Sequence, residues 1–119
     1  MTTSRTKQQR TGDDAEARAV DVLVKAGLVV VGRNVKVGND ELDVICERDD
    51  GLFVFVEVRR RTSRAEALES IGPAKQKRII RAATRWLGPE VHRRFSRFDV
   101  VVVSPNGIEH IVDAFRPAS

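Results

Sequence analysis

The pattern of apolar and polar residues along the chain predicts two helices and five strands. Apolar residues recur at helical spacing after Thr11, which can cap a helix that Gly27 ends. A second helix is predicted to begin at Pro73, with Gly88 at its end. Short runs rich in β-branched and aromatic residues predict the strands. The predicted elements are a helix at 11–26, strands at 28–34, 40–46 and 53–58, a helix at 73–87, and strands at 98–103 and 108–112.

Two carboxylates lie within apolar strands, Asp43 in the second predicted strand and Glu57 in the third. If Gly51 marks the turn of a hairpin between these strands, Asp43 and Glu57 can approach each other across neighbouring strands. Carboxylates at such a distance repel each other unless a cation or a proton lies between them. The alternative is that both are exposed residues at strand ends, one of them paired with an arginine.

Two-residue alternation assigns the other side chains of this hairpin to faces of the sheet. It predicts that Leu42, Val44 and Cys46 share one face of their strand, opposite Asp43. In the next strand, Glu57 is predicted to share a face with Phe53, Phe55 and Arg59. Cys46 is the single cysteine and is predicted to be a small core residue rather than a reactive thiol. Trp86 and Phe115 are likewise predicted to serve packing, and Asp99 to pair with a nearby arginine or cap a strand.

Glu16 shares the predicted apolar stripe of the first helix with Ala19, Val20 and Leu23, which follow it by three, four and seven residues. A carboxylate facing a sheet is costly unless it is paired, hydrogen-bonded or bound to metal. Because Glu16 lies near the helix start, the alternative is that it reaches solvent and favours the helix dipole.

Charge is distributed unevenly along the 119 residues, although the net charge is only +4. Residues 11–57 contain 5 basic and 11 acidic residues, whereas residues 58–97 contain 12 basic and 3 acidic ones. A concentrated basic segment favours a polyanionic partner such as nucleic acid. The alternative is a basic surface that simply faces solvent.

Composition indicates one domain without a membrane segment. Residues 1–10 are polar and basic, and we expect a disordered tail there, followed by a single domain over 11–119. No apolar run approaches the roughly 20 residues that span a bilayer, and the start lacks the apolar core of a signal peptide. These features predict a cytoplasmic protein.

The order of elements and the acidic motifs resemble the restriction-endonuclease-like fold of the PD-(D/E)xK nucleases. The resemblance is to the YraN family of small bacterial proteins, which is similar to archaeal Holliday junction resolvases. It is carried by Glu16-Ala17, Glu41-Leu42-Asp43-Val44-Ile45, Phe55-Val56-Glu57-Val58-Arg59-Arg60-Arg61, Lys75-Gln76-Lys77-Arg78, Arg97-Phe98-Asp99-Val100 and Asp113-Ala114-Phe115. It implies an α/β fold of order αβββαββ, with a central mixed five-stranded sheet flanked by helices.

The resemblance also implies a site and a partner. Asp43, Glu57 and the backbone carbonyl of Val58 would hold Mg²⁺ or Mn²⁺, with Glu16 as an outer or additional ligand. Hard cations take oxygen ligands and can activate water beside a phosphodiester. The partner would be DNA, branched or damaged, and a homodimer is plausible because junction resolvases cut two strands symmetrically. The predicted nucleic-acid-binding residues are Arg60, Arg61, Arg64, Lys75, Lys77 and Arg78.

One residue departs from the nuclease pattern, which has lysine where this chain has Arg59. A guanidinium does not readily serve as a general base, but it can orient a phosphate or stabilise a developing negative charge. The leading hypothesis is therefore a metal-dependent endonuclease in which Arg59 takes part in catalysis. The alternatives are a nucleic-acid-binding module that has lost catalysis and an adaptor whose basic face binds an acidic protein.

Overall fold

A computed structural model describes residues 7–89 and 96–117 of the chain, and the side chains of the first helix from Asp14 onward. The described elements follow one another as three helices and five strands. They are α1 (Lys7–Lys25), β1 (Val29–Val37), β2 (Asp40–Glu47), β3 (Phe53–Arg60), α2 (Arg64–Glu69), α3 (Pro73–Leu87), β4 (Ser96–Ser104) and β5 (Gly107–Phe115). No helix in these two ranges is long and apolar enough to cross a membrane.

The five strands form one sheet in the order β1-β2-β3-β4-β5. Neighbouring strands are antiparallel except β3 and β4, which run parallel, so the predicted mixed sheet is confirmed. The crossover between the parallel strands contains α2 and α3. Because β3 and β4 are parallel, their carboxyl ends, at Arg60 and Ser104, lie at the same edge of the sheet.

Helices cover both faces of the sheet. On one face, Ala15, Ala19 and Leu23 of α1 pack with apolar side chains of β2, β3 and β4. On the other, Ile79 and Ala82 of α3 pack in a second cluster that contains most of the aromatic side chains. The core roles predicted for Trp86 and Phe115 agree with this cluster, since both pack against it: Trp86 meets Phe53 and Phe55 edge-on, and Phe115 stacks on Phe98.

The ends of several elements differ from the prediction. Helix α1 begins at Lys7 rather than Thr11, so residues 7–10 of the predicted tail are helical, and residues 1–6 lie outside the described residues. Strand β1 extends to Val37, because Lys36 pairs with Glu41 and only Gly38 and Asn39 form the turn. The bounds of the long α3 helix are those predicted, and Pro73 begins it as expected.

Helix α2 was absent from the predicted order. Ser63 caps its first turn, because Ser63 Oγ accepts a hydrogen bond from the backbone N–H of Glu66 at 3.1 Å. The carboxylate of Glu66 reaches back to the hydroxyl of Thr62 at 2.6 Å. The serine and glutamate three residues apart were a readable signal, but six residues are too few for a helical pattern of apolar positions.

The predicted face of Leu42 is wrong, because alternation breaks within the β1-β2 hairpin. Val44 packs on the α1 side of the sheet, whereas Leu42 packs in the α3-side cluster with Ile45. The change of face occurs around Asp43, and Asn34, which the register places opposite it, has a positive φ of 50°. A left-handed residue in a strand interrupts the pleat, so the two-residue period does not continue through this point.

Asp99 is fully buried and performs the structural role predicted for it. Its carboxylate accepts two hydrogen bonds from Arg97, each 2.9 Å long, and one from the backbone N–H of Asp113. His110 Nε2 lies 2.7 Å from Asp99 Oδ2. Burial would raise the pKa of Asp99, but the hydrogen bonds from His110 and Arg97 outweigh it and hold that pKa below its ordinary value. The network ties β4 to β5 near their middle.

Candidate functional site

Asp43 and Glu57 meet where the hydrogen-bonded ladder between β2 and β3 ends. Val44 pairs with Val56, and one further step of this antiparallel register sets Asp43 opposite Glu57. The ladder does not continue there, because Asp43 Oδ2 accepts the backbone N–H of Val58 at 2.9 Å. The predicted approach of the two carboxylates across the hairpin is therefore present. The Glu57 side chain is 4% exposed, so the reading of both residues as exposed strand-end groups does not hold for it.

Two cations face the Glu57 carboxylate. Arg59 Nη2 lies 3.3 Å from Glu57 Oε1, and Lys75 Nζ of α3 lies 3.8 Å from the same oxygen. Arg59 extends from the same face of β3 as Glu57, as alternation predicted. The Nε atom of Arg59 is buried and has no hydrogen-bond partner in the part of the chain that the structure describes. One donor of this guanidinium therefore remains to be satisfied at the site.

The electrostatics of the pair follow from its burial. Burial and the charge of Asp43 raise the pKa of Glu57 from its ordinary 4.5 to about 7, against the opposing effect of Arg59 and Lys75. Burial also raises the pKa of Asp43, although the hydrogen bond from Val58 and the charge of Arg59 oppose that change. The two nearby cations therefore do not fully compensate the two carboxylates, and a proton or a further cation stabilises the pair.

Glu16 is held apart from this pair. Its Oε1 atom accepts hydrogen bonds from Arg33 Nε at 3.1 Å and from Asn34 Nδ2 at 2.9 Å. Glu16 is therefore paired with a cation and hydrogen-bonded, which is one of the alternatives that its place on the apolar stripe allowed. Its charge still contributes to raising the pKa of Asp43, so Glu16 lies within electrostatic range of the site. Asn34, which has the positive φ in β1, is thus also one of the two residues that bind Glu16.

The donor set suits a magnesium-type ion that keeps much of its water. Among the side chains that the structure describes, no three His, Cys, Asp or Glu residues are grouped so that they could hold a metal ion. Asp43 and Glu57 are the two carboxylates that the structure brings together, Glu16 is bound to Arg33 and Asn34, and a role for Glu16 as an outer or additional ligand stays a prediction. Mg²⁺ is commonly bound by one or two carboxylates, with water and substrate phosphates completing its octahedral shell. Burial and the charge of Asp43 raise the pKa of Glu57, so either a proton or a cation between the two groups would stabilise them.

The three consecutive arginines after Val58 do not form one surface. Arg59 is directed to the α3 side, next to Glu57. Arg60 and Arg61 instead line a cleft on the α1 side, together with Arg18 of α1. This division follows from alternation at Arg59 and Arg60 and from the end of β3 at Arg60. Sequence reasoning missed Arg18, because nothing in the helical pattern indicates that it faces the end of β3.

The other predicted nucleic-acid-binding residues lie at different places around the sheet. Lys75 is beside Glu57, whereas Lys77 and Arg78 are exposed on α3. Arg64 is bound to Glu109 of β5, with 2.6 Å between Nη1 and Oε2. The structure thus brings Lys75 to the carboxylate pair, Arg60 and Arg61 to the α1-side cleft, and Arg64 to the β5 edge.

Comparisons with known proteins agree with this fold. Residues 15–103 match the model of the uncharacterised protein family UPF0102. A UPF0102 protein of Cupriavidus taiwanensis is 39% identical over 115 residues, which cover 95% of this chain and 88% of the relative. A UPF0102 protein of Halorhodospira halophila is 38% identical over 119 residues, covering 98% of this chain and 96% of the relative. The predicted resemblance to the YraN family, which corresponds to UPF0102, is confirmed.

A solved structure, that of an EndoMS–dsDNA complex, has a similar fold with a TM-score of 0.50 and 17% identity. The similarity covers 87% of this chain but only 39% of the EndoMS chain. At this identity the likeness concerns the fold. The predicted restriction-endonuclease-like fold is therefore confirmed.

Proposed function

Because this chain belongs to the uncharacterised protein family UPF0102 and has a restriction-endonuclease-like fold, we propose that it binds DNA and cleaves it as a metal-dependent endonuclease. The observation that carries the proposal is the pair formed by half-buried Asp43 and buried Glu57, in which the pKa of Glu57 is raised to about 7. Two carboxylates that repel each other away from solvent weaken a fold, so their presence favours a cation-binding role.

Each residue of the site has a distinct task in this proposal. Asp43 and Glu57 supply the acidic ligands, with the backbone carbonyl of Val58 as a further oxygen. Bound Mg²⁺ or Mn²⁺ would neutralise charge on the scissile phosphate and lower the pKa of a water molecule. The hydrogen bond from Val58 to Asp43 fixes the orientation of that carboxylate before any ligand binds.

Arg59 and Lys75 act on the phosphate. Both reach the same oxygen of Glu57, so a metal that engages Glu57 would release their N–H groups towards a phosphodiester. Arg59 offers a planar fork and a buried, unpaired Nε to phosphate oxygens. Lys75 supplies the ammonium group that the nuclease pattern has at the position of Arg59, and an ammonium gives up its proton more readily than a guanidinium.

DNA is proposed as the substrate class on two grounds. The solved structure with a similar fold is a complex of EndoMS with double-stranded DNA. The basic residues Arg60, Arg61, Arg64, Lys77 and Arg78 are exposed around the sheet, where phosphate contacts are accessible. Branched or damaged DNA, and a homodimer that cuts two strands, remain predictions from the resemblance to junction resolvases.

Cleavage of labelled four-way, flap, single-stranded and linear DNA by the purified protein tests the function. We expect cutting with Mg²⁺ or Mn²⁺ that is lost with EDTA and in Asp43→Ala. Asp49→Ala, which removes an exposed carboxylate from the β2-β3 turn, is the matched control and should cut normally. No cutting of any substrate by the wild-type protein would contradict the nuclease assignment.

A non-catalytic DNA-binding module is the second candidate, and the contact of Arg59 with Glu57 is the observation that favours it. An arginine there can neutralise the glutamate permanently and leave a structural ion pair. In that case the protein would bind DNA in a salt-sensitive manner without cutting it, and its affinity would not depend on added metal.

A further inference from the structure

A cleft of about 460 Å³ lies beyond the carboxyl ends of β3 and β4, on the α1 side of the sheet. Arg18 of α1, Arg60 at the end of β3 and the following Arg61 contribute three guanidinium groups to it. Ser104 and Pro105, where the parallel strand β4 ends, form part of its lining. The cleft is thus distinct from the carboxylate pair, since neither Asp43 nor Glu57 lines it and Glu57 faces Lys75 of α3.

Two of the three arginines in the cleft have guanidinium groups that are free to bind an anion. Among the described residues, neither Arg18 nor Arg60 forms a side-chain ion pair or hydrogen bond, and both are exposed. Arg61 is oriented, because its Nη1 donates to the carbonyl of Arg60 at 2.9 Å and its backbone N–H donates to the carbonyl of Val103. By contrast, Arg33, Arg48 and Arg81 are all bound to carboxylates on the same protein.

Two carboxylates also line the cleft, Asp14 and Glu66. Glu66 is already engaged, since it accepts the Thr62 hydroxyl at 2.6 Å and the Thr62 backbone N–H at 3.3 Å. It thereby fixes the loop that presents Arg61. The lining has three cationic groups and two acidic ones, so the cleft keeps an excess of positive charge and suits a small anion better than an extended acidic surface.

We propose that this cleft binds a phosphate group of the DNA strand that occupies the carboxylate site, with Arg18 and Arg60 as its ligands. The inference rests on the proposed function and adds a second point of contact to it. Arg60 is three residues beyond Glu57 along β3, which is about 10 Å of backbone at the rise of a strand. The phosphates of one strand repeat at intervals shorter than this length, so a strand bound at the carboxylate pair has further phosphates within reach of the cleft.

The first test is the salt dependence of binding by the full chain to a double-stranded oligonucleotide, measured by fluorescence anisotropy. In Arg18→Gln and Arg60→Gln, we expect affinity at low salt to fall several-fold. We also expect the slope of log K against log salt to fall by about 1 for each lost phosphate contact. Arg48→Gln is the matched control, because it removes one charge from the opposite end of β3, where the β2-β3 turn lies.

The outcomes separate this inference from the proposed function. One outcome is that the wild-type protein binds and cuts DNA while Arg18→Gln and Arg60→Gln match Arg48→Gln in DNA affinity and in the slope of log K against log salt. In that case the cleft does not bind DNA, and the proposed nuclease activity is unaffected. If Arg18→Gln and Arg60→Gln lose DNA affinity while neither they nor the wild-type protein cut DNA, the cleft binds DNA but the proposed nuclease activity is wrong.

A second arm uses inorganic phosphate and distinguishes a strand phosphate from a free one. Amide NMR spectra of the wild-type chain should shift at 60–62 and at Ser104 on titration with phosphate, and these shifts should be lost in Arg18→Gln. Tighter binding of phosphate than of DNA would mean that the cleft serves a free phosphate rather than a strand. Absence of both the phosphate shifts and the effect of Arg18→Gln on DNA binding would overturn the proposal.

Discussion

The guanidinium of Arg59 lies 3.3 Å from the carboxylate of Glu57, two residues before it on the same strand face. Lys75 approaches the same carboxylate oxygen from α3 at 3.8 Å. The position at which the PD-(D/E)xK pattern has lysine is therefore filled by a cation of different chemistry, while a lysine from another element lies beside it. This arrangement makes the contributions of Arg59 and Lys75 separable by mutation.

Replacement of Glu57 by alanine should abolish cleavage and leave DNA affinity unchanged or improved, because it removes the proposed metal ligand and a negative charge. Gel-based cleavage and anisotropy on the same oligonucleotide measure the two effects. Glu69→Ala, an exposed glutamate at the end of α2, provides the control and should preserve cleavage. Unchanged cutting by Glu57→Ala would exclude this glutamate as a metal ligand.

Substitution of Arg59 by lysine should raise the cleavage rate if lysine is the more effective group at that position. Lys75→Ala should lower the rate, and should do so less in the Arg59→Lys background, where a second ammonium is present. Single-turnover rates with Mg²⁺ measure both effects. Equal loss on Lys75→Ala in the two backgrounds would show that residues 59 and 75 have independent tasks.

The raised pKa of Glu57 predicts how stability depends on pH in the metal-free protein. A carboxyl whose pKa is about 7 in the fold and about 4.5 when unfolded favours folding fully below the unfolded value. That contribution is lost as the pH rises through about 7. Thermal unfolding in EDTA should therefore show a melting temperature that falls between pH 5 and pH 8.

Glu57→Gln is the control for this pH effect, since its side chain does not titrate and its melting temperature should vary less over the same range. Mg²⁺ should raise the melting temperature of the wild-type protein above pH 7 more than that of Glu57→Gln. A wild-type curve that is flat or rises from pH 5 to pH 8, in parallel with the variant, would show that Glu57 is not the titrating group.

Removal of the buried Asp99 charge should strongly destabilise the fold. We expect Asp99→Asn to cost about 3–5 kcal/mol, because Arg97 and the backbone N–H of Asp113 lose a fully buried ionised partner. Urea unfolding at pH 7 measures this difference. Asp50→Asn, in which an exposed aspartate also loses its arginine partner, should change stability little.

The same carboxylate predicts acid sensitivity of the opposite sign to that of Glu57. The pKa of Asp99 is lowered in the fold, so its contribution to stability is present above its unfolded pKa of about 3.9. The contribution is lost as the pH falls through the folded value. The difference in unfolding free energy between wild type and Asp99→Asn should accordingly shrink below about pH 4, and a constant difference would argue against an ionised Asp99.

Much of the fold was readable from local patterns. The apolar period of α3, with Pro73 at its start and Gly88 after its end, predicted both ends of that helix correctly. Alternation in β3 correctly placed Glu57 on the opposite face of the sheet from Val56 and Val58. Leu42 was assigned to the wrong face, because the break opposite Asn34 depends on how two strands meet. A period within one segment contains no information about such a break.

The candidate site divides in the same way. Composition and motif spacing determined that Asp43 and Glu57 would lie on adjacent strands followed by a basic segment, because strand geometry fixes which side chains point together. Only the tertiary structure decided that Glu16 is held by Arg33, and that Arg18 joins Arg60 at a cleft. Those contacts join elements distant in sequence, and their geometry follows from packing of α1 on the sheet rather than from any local preference.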